Sequence, residues 1–437
     1  MLRRVFIAAL LVALLPLATL AGPKIERVVG ASGVEAWLVR EPKIPMIALQ
    51  AVWRGGSASD PAGLEGRAEL AAALLDEGAG DLAAEDFQAA LRADAISLGA
   101  GVDRDYVTLN LRTLSERRDR AFALLAQMLT QPRFDAEPVA RIKSQLLVAA
   151  QRALASPSSI ANNRFMANAF PGHPYGRPAQ ASPESLERLG RDDAAAFIGG
   201  VLARRNLVIG VVGDITPEEL KRLLDQSFGK LPLEPTLTLP QVAVPQVAPK
   251  PIVIPYANPQ SIVLFGGRGL LRDDPDYYAA TVLNYVLGGG GFNSRLTEEI
   301  REKRGLVYSV STGMQPMPAA GLFAGSLSTR NDQVGQALAL VREQLQAVAR
   351  DGISETELTN AKAYLTGSFP LRLSSNAAIA GMLSAMQLAN LGMDYIDRYP
   401  DYINAVTAAD IRRVAERLFA SGDLLVVVVG EPVGLGG

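Results

Sequence analysis

The sequence predicts an α+β protein made of two homologous α/β-sandwich domains, and three observations support this prediction. After residue 21, short β-rich segments alternate with segments that are apolar at helical spacing. The order of these segments is repeated in the second part of the chain, which indicates an internal duplication. A proline-rich stretch, residues 232–250, separates the two parts and disfavours regular helix. We therefore expect domains at 22–231 and 251–437, joined by an extended linker.

Length and composition set the broad class of the protein. With 437 residues, of which 49% are hydrophobic, the chain can bury large cores. Cysteine is absent, so disulfides, thiol catalysis and thiolate metal sites are excluded. The formal net charge of −2 provides no global field that would attract nucleic acid or an anionic membrane.

The first 21 residues have the layout of a secretory signal. Arg3 and Arg4 precede an apolar run from Val5 to Leu20, and small residues lead up to Ala21. An uncleaved membrane anchor is the alternative, because the run approaches the roughly 18 residues that span a bilayer. A proline inside the run and the small residues after it favour cleavage. We expect an exported, periplasmic protein without a membrane span in the mature chain.

The elements of the two halves follow from apolar spacing and from glycine and proline boundaries. In the first half we predict extended segments over 26–53, helices over 64–80 and 83–96, a strand over 105–114, helices within 118–169, a helix over 182–205, a strand over 206–214 and a helix over 216–228. In the second half we predict extended structure over 252–269, a helix over 276–290, a strand over 323–330, helices over 333–352, 355–369 and 408–421, and a last strand over 424–432.

Two landmarks align the halves. The segment Trp53–Gly56, which leads into a helix, corresponds to Phe265–Arg268, and Val212–Asp214 corresponds to Val429–Glu431. The repeat unit is therefore about two hundred residues long.

Residues 60–80 contain the first candidate site. This glycine-bounded helix resembles the site of the pitrilysin/insulysin-type zinc peptidases, in which two histidines of an H-x-x-E-H motif hold zinc and the glutamate acts as base. In this chain the three motif positions fall on Glu69, Ala72 and Ala73. The third metal ligand of that family, a glutamate on a later helix, falls near Val148–Gln151, where no carboxylate stands. The resemblance thus implies a degenerate zinc site.

No other register restores a metal site, because His173 is the only histidine in the chain. His173 lies in a Gly-His-Pro turn that resembles a structural turn of the same family, and zinc needs several converging ligands. The acidic residues Glu65, Glu69, Asp76 and Glu77 are an alternative set for a hard cation, although acidic residues of one helix more often face solvent. We expect no metal and no other cofactor in this chain.

The second candidate site lies in residues 287–313 and resembles the second domain of the same family. There a glycine-rich turn precedes Ser-Arg-Leu and a helix with Arg-Glu-Lys, followed by a tyrosine seven residues after the arginine. The matching residues are Arg301 and Tyr308. The resemblance implies that they reach a zinc site, bind substrate backbone and stabilise the oxyanion.

The chemistry of these side chains agrees with that role. A guanidinium supplies charge-assisted donors for a peptide carbonyl, and a phenol hydroxyl adds a donor where negative charge develops. On composition alone, Arg301 is one of several charges on a solvated helix and Tyr308 starts a half-buried strand. The complete motif favours the functional interpretation.

The glycine-rich loop before Arg301 is the predicted substrate-binding segment. The stretch lacks the Gly-Lys-Ser/Thr ending of a phosphate loop, so a nucleotide site is disfavoured. In the family it resembles, this loop is a flexible segment near the substrate. The loop residues are Gly289, Gly290, Gly291, Phe292 and Asn293.

These observations predict a non-catalytic, substrate-binding subunit of a heteromeric zinc peptidase. The family includes short bacterial chains that act in pairs, one with zinc ligands and one with only the arginine and tyrosine, so the resemblance implies one half of a clamshell. The expected partners are a zinc-bearing homologous subunit, in a heterodimer, and a peptide substrate. Two alternatives remain: a structural or peptide-binding module of the same fold, and a self-sufficient hydrolase with another metal.

Overall fold

The structure is a computed structural model that describes residues 23–435. The secretory signal predicted for residues 1–21 lies outside the described residues. The strands form two mixed sheets, and helices pack on them, which confirms the predicted α+β class. Within residues 23–435 we find no helix that is long and apolar enough to cross a membrane.

Each half of the chain forms one sheet. The strands of the first half are β1 (Ile25–Val29), β2 (Glu35–Arg40), β3 (Met46–Arg54), β4 (Ser97–Val102), β5 (Tyr106–Leu114) and β6 (Leu207–Gly213). Those of the second half are β7 (Ile252–Ile254), β8 (Gln260–Arg268), β9 (Val307–Met317), β10 (Ala320–Arg330) and β11 (Leu425–Val429).

The two sheets have the same topology. Their strand orders are β1-β2-β6-β3-β5-β4 and β7-β11-β8-β10-β9, so the second repeats the first without β1. The pairs β2–β6 and β7–β11 are parallel, and the other equivalent pairs are antiparallel. Agreement in both order and direction supports the predicted internal duplication. It also places β4 and β9 at equivalent sheet edges.

Each half also contains several α-helices. In the first half they are α1 (Arg67–Leu74), α2 (Ala84–Ala93), α3 (Arg118–Thr130), α4 (Ala136–Leu154), α5 (Pro157–Ala169), α6 (Pro183–Arg188), α7 (Arg191–Val201) and α8 (Pro217–Phe228). In the second half they are α9 (Tyr277–Asn284), α10 (Val334–Asp351), α11 (Glu355–Ser368), α12 (Asn376–Leu388), α13 (Tyr395–Asn404) and α14 (Ala408–Phe419).

The halves exchange one helix each. Helix α5 packs on β8 and β11 of the second sheet, and α12 packs on β3 and β6 of the first. Glycines allow the close approach, since a Cβ on Gly210 would lie 2.2 Å from the Ala380 carbonyl oxygen and one on Gly266 would lie 3.1 Å from the Phe165 ring. The exchanged helices join the two halves, whose strands belong to separate sheets.

A polar network reinforces the contact between the halves. The buried Tyr175 hydroxyl donates to the Asp105 carboxylate and accepts from the Ala319 N–H, at 3.1 Å. The Arg54 guanidinium donates to the Leu388 carbonyl at the end of α12. The segment predicted as a linker, residues 232–250, has no regular secondary structure. It contacts both halves, through hydrogen bonds from the Thr236 N–H to the Gly200 carbonyl and from the Ala243 N–H to the Ala319 carbonyl.

The strand registers correct one alignment landmark. Val212 pairs with Ala48, and Val429 pairs with Ile262. If Val212 and Val429 are equivalent, Phe265 matches Ala51 rather than Trp53. The landmark that equated Trp53 with Phe265 was therefore wrong by two residues. Residues two apart in a strand, such as Ala51 and Trp53, face the same side of the sheet, so the sequence pattern does not distinguish them.

Some predicted elements differ in detail. The helix predicted over 182–205 is broken into α6 and α7 at Leu189 and Gly190. Strand β4 and helices α12 and α13 had no predicted counterpart. Strand β4 contains two glycines and few β-branched residues, and α12 has small apolar residues on every side, so neither has the usual periodic pattern.

Candidate functional site

Helix α1 carries the positions of the degenerate zinc motif, and it begins at a fixed turn. Gly66, directly before the helix, has a φ of +93°, which favours glycine. The buried Asp60 carboxylate accepts hydrogen bonds from the N–H groups of Gly66 (3.0 Å) and Ala68 (3.1 Å). Burial raises the pKa of Asp60 to about 6, even though the Arg67 guanidinium lies 3.6 Å away. Asp60 thus binds the start of the helix.

The three motif positions do not form a metal site. Glu69 lines a cavity of about 240 Å³ beside α1, and burial raises its pKa. Ala72 is only 2% exposed, and Ala73 packs against the core of the first half. Within residues 23–435 there is no group of three His, Cys, Asp or Glu side chains that could hold a metal. The residues present do not fit the zinc of this motif, which needs imidazole nitrogens.

The later helix also lacks a ligand. The segment Val148–Gln151 lies in α4, which packs against α1. Ala150 is buried in the core of the first half, whereas Gln151 is exposed. The segment therefore contributes packing at this place and no carboxylate.

His173 has a structural role. Its Nδ1 accepts a hydrogen bond from the Tyr175 N–H at 3.1 Å, and its Nε2–H donates to the Gln241 carbonyl at 2.8 Å. The imidazole thereby caps a short turn and binds the linker to it. Both ring nitrogens are used within the chain, which agrees with the predicted turn histidine.

Arg301 lies in a distorted helical turn. Two π-helical segments, Tyr285–Gly289 and Thr297–Glu302, lie on either side of the glycine loop. In the second segment the Lys303 N–H donates to the Glu298 carbonyl, five residues earlier, at 2.9 Å. Such turns are uncommon and occur often at functional sites.

The Arg301 side chain rests against the glycine loop. Its guanidinium carbon lies 4.8 Å from the centroid of the Phe292 ring, a cation–π contact. Phe292 is 71% exposed, and the Arg301 side chain is 35% exposed. The carboxylate of Glu302 lies 3.8 Å away, beyond hydrogen-bond distance. Most of the donors of Arg301 therefore remain available to a ligand.

The neighbouring cations are engaged differently. Lys303 and Arg304 both bind the Glu299 carboxylate, at 2.6 and 2.8 Å, and hydrogen bonds from them lower the pKa of Glu299. Arg295 binds Glu357 of α11 at 2.5 Å through Nε and 2.7 Å through a terminal nitrogen. These cations serve local structure, in contrast to Arg301.

The glycine loop has a shape that side chains would disturb. A Cβ on Gly288 would lie 2.6 Å from the Thr312 hydroxyl, and one on Gly290 would lie 2.7 Å from the Tyr285 carbonyl oxygen. The Ser294 hydroxyl donates to the Gly291 carbonyl at 2.8 Å. The structure places the predicted loop beside Arg301, and contact of its residues with substrate stays a prediction. Those residues are Gly289, Gly290, Gly291, Phe292 and Asn293.

Tyr308 lies on a β-bulge at the edge of the second sheet. Val307 pairs with Thr329 and Ser309 pairs with Ser328, so Tyr308 has no partner residue in β10. A bulge changes the direction of the side chain it carries. Tyr308 is 76% exposed, and its neighbour Ser309 is exposed as well.

A glycine turn connects the two candidate residues. Gly305 has a φ of +61°, and its N–H donates to the Arg301 carbonyl at 2.8 Å. Strand β9 begins at Val307, directly before Tyr308. Arg301 and Tyr308 thus lie on either side of one tight turn, and both present donors to solvent. The sequence identified both residues, but no sequence signal indicated the bulge or the contact with Phe292.

Comparisons with known proteins identify the family of this chain. Residues 39–182 match the family described as Insulinase (Peptidase family M16), and residues 188–365 match the Peptidase M16 inactive domain. A crystal structure described as a peptidase M16 inactive domain, from Pseudomonas fluorescens, is 30% identical, with a TM-score of 0.88 over 94% of this chain and 99% of that chain.

Two further relatives extend the comparison. The non-peptidase homolog YmxG of Helicobacter pylori is 28% identical over 330 residues, 75% of this chain and 76% of that protein. A chain of complex III2 from Candida albicans, with Inz-5 bound, has the same fold at 16% identity, with a TM-score of 0.79 over 95% of this chain and 98% of that chain. The matches cover both halves, and we conclude that this chain belongs to the peptidase M16 family.

Proposed function

We propose that this chain is a non-catalytic, substrate-binding subunit of a heteromeric zinc metallopeptidase, to which it supplies Arg301 and Tyr308 in trans. The observation that carries the proposal is the contrast between the two candidate sites. Arg301, in the helical turn before β9, and Tyr308, at the sheet edge, both present donors to solvent, whereas the motif positions of α1 are a half-buried glutamate and two alanines.

The residues of this chain would bind and orient the peptide. The Arg301 guanidinium donates charge-assisted hydrogen bonds to a peptide carbonyl. The Tyr308 hydroxyl donates to the oxygen on which negative charge develops during attack. Zinc in the partner supplies the activated water. The glycine loop, with Phe292, lies against the same peptide.

The chain has Arg301 and Tyr308 but lacks the zinc ligands, so the proposed partner is one that supplies those ligands. We propose a homologous subunit that carries H-x-x-E-H, paired with this chain as the other half of a clamshell. Export to the periplasm, expected from residues 1–21, is part of this proposal. An adjacent reading frame that encodes H-x-x-E-H would support the pairing.

Reconstitution tests the proposal. The purified mature chain is mixed with a zinc-bearing homologue, and hydrolysis of a fluorogenic peptide is measured. We expect hydrolysis by the mixture well above that of either chain alone. The double variant Arg301→Ala/Tyr308→Phe should abolish the gain, while the control Arg304→Ala, which removes a cation bound to Glu299, should keep it. Full activity of the double variant would overturn the proposal.

A structural or peptide-binding module without a role in catalysis is the second candidate. The likeness of fold to a chain of complex III2 favours it. In that case the chain stabilises its partner without changing turnover per folded partner. A partner whose thermal stability rises on mixing, with hydrolysis unaffected by the double variant, would support this second function.

A further inference from the structure

The loop between β2 and β3 and the equivalent loop between β7 and β8 differ at one position. The Glu41 N–H donates to the Gly213 carbonyl at 3.0 Å, and the Tyr256 N–H donates to the Gly430 carbonyl at 3.3 Å. Gly213 and Gly430 lie at the ends of the equivalent strands β6 and β11, with φ values of +144° and +154°. Glu41 therefore occupies in the first half the place that Tyr256 occupies in the second.

Tyr256 covers the start of the exchanged helix α5. Its hydroxyl donates to the Ala155 carbonyl at 2.9 Å, and the next residue, Ser156, is the N-cap of α5. In the other half the N-cap of α12 is Ser375, so the residue equivalent to Ala155 is Ser374. The first half thus has the equivalent carbonyl but a glutamate instead of the tyrosine.

A cavity of about 570 Å³ lies at this place in the first half. We call it the β3–α12 pocket. Its floor and walls are mostly apolar, a surface suited to an aromatic ring. The residues that form them are Ile44, Met46, Ala48, Leu373, Ser374 and Ile379.

The rim of the β3–α12 pocket has a positive charge excess. Lys43, Arg112 and Glu41 are the charged residues of the lining. Neither Lys43 nor Arg112 forms an ion pair with any residue from 23 to 435, and the Glu41 carboxylate accepts from the Lys43 backbone N–H at 3.2 Å. The N-terminus of α12 adds positive potential at the same place. The rim is therefore complementary to a carboxylate.

We propose that the β3–α12 pocket binds an aromatic side chain of a peptide that carries a carboxylate beside it. The ring takes the place that Tyr256 holds in the second half, and a tyrosine hydroxyl donates to the Ser374 carbonyl. The carboxylate is bound by Lys43 and Arg112. The source of the peptide rests on the proposed function, whereas binding itself is a property of the isolated chain.

The experiment uses the isolated chain without a partner, so its outcome is independent of hydrolysis. Binding of N-acetyl-L-tyrosine is measured by ligand-detected NMR, with N-acetyl-L-alanine and N-acetyl-L-tyrosinamide as probes that lack the ring or the carboxylate. We expect N-acetyl-L-tyrosine to bind about tenfold more tightly than N-acetyl-L-alanine, because the alanine probe buries no ring. Arg112→Gln should reduce the preference for N-acetyl-L-tyrosine over its amide, since Lys43 alone then binds the carboxylate.

Two matched variants exploit the repeat. Glu41→Tyr supplies the missing ring from the chain and should abolish binding of N-acetyl-L-tyrosine. Tyr256→Ala opens the equivalent place in the second half and should add a second, weaker site for the ring, because Ser328 stands there in place of Arg112. Thermal melts establish that both variants are folded.

Three results would overturn the proposal. They are unchanged binding in folded Glu41→Tyr, no second site in folded Tyr256→Ala, and octanoate binding as tight as that of N-acetyl-L-tyrosine, which would assign the pocket to acyl chains.

Discussion

The carboxylates around α1 and those of the second half have opposite environments. Burial raises the pKa of Asp60 and Glu69, so these groups resist ionisation. In the second half, hydrogen bonds from Lys303 lower the pKa of Glu299, and hydrogen bonds from Thr407 lower the pKa of Asp410 to about 2. One region is built as protein interior, and the other stabilises charge at its surface.

The two candidate sites therefore differ in burial and in the availability of polar groups. Around α1, alanines pack and carboxylates bind backbone or face a small cavity, so a polar reaction centre is not maintained. Before and at the start of β9, a glycine turn and a bulge leave Arg301 half-buried against Phe292 and Tyr308 76% exposed. Exposed donors on distorted backbone are consistent with the proposed binding role, since distortion costs stability and occurs often at functional sites.

Restoring the motif glutamate should have the largest effect on stability. Ala72→Glu places a carboxylate at a position that is 2% exposed, and we expect a loss of about 3–5 kcal/mol in the free energy of unfolding because the charge has no partner there. Chemical denaturation measures it. Ala73→Glu, on a half-buried position, is the matched control and should cost less. Small and equal losses of unfolding free energy in the two variants would show that Ala72 does not lie in the hydrophobic core.

Asp60 should make the first half less stable as pH rises. Its folded pKa of about 6 lies above the model-compound value of 3.8. Its contribution is therefore fully present below pH 4 and is lost as pH rises through 6. The loss is about 2–3 kcal/mol.

Comparison of wild type with Asp60→Asn isolates this contribution, because asparagine cannot ionise. The difference in free energy of unfolding between the two proteins should change between pH 4 and pH 7, with wild type losing more. Parallel pH profiles would contradict the buried environment of Asp60.

Glu357, in the second half, should contribute to stability with the opposite pH dependence. Burial opposes its ionisation, but hydrogen bonds from Arg295 and Ser354 outweigh burial and hold its pKa at about 2. Its contribution is present above pH 4.5 and is lost as pH falls toward 2. Glu357→Gln should cost about 1–2 kcal/mol at pH 7, after allowance for partial exposure, and less at pH 3. A constant cost across this range, measured by denaturation, would argue against an ionic role.

Phe292 should have the smallest effect, and on activity alone. Phe292→Leu removes the ring under Arg301, and cation–π contacts at exposed sites are worth about 0.5–1 kcal/mol, or two- to fivefold in rate. Peptide hydrolysis by the reconstituted pair measures the loss. In an Arg301→Ala background the same substitution should have a smaller effect, because only the contact of Phe292 with the peptide is then lost. Fully additive losses would mean that the cation–π contact with Arg301 does not contribute to the rate.

The sequence predicted much of the fold because its signals are local. Strand β5 alternates buried and exposed residues, and Thr216 with Glu219 forms a capping box at α8. The Arg301 and Tyr308 pair was found by its spacing in a long motif. Those signals depend on residues near each other in the chain.

The features that sequence reasoning missed depend on distant residues. The bulge at Tyr308 is set by pairing with Thr329, and the exchange of α5 and α12 is set by close approach at Gly266 and Gly210. Helix α12 lies between the two halves. Its sequence therefore does not show the usual pattern of an apolar face opposite a polar face. The two-residue error at Trp53 has the same origin, because only strand pairing fixes register.

The turnover number of the reconstituted pair with Tyr308→Phe tests the central claim most directly. This substitution removes one hydroxyl from an exposed side chain, so the melting temperature should stay unchanged. Loss of one oxyanion donor costs about 100-fold or more in kcat in other acyl-transfer enzymes, and we expect a fall in kcat of that order with a small change in KM. An unchanged kcat would contradict the account.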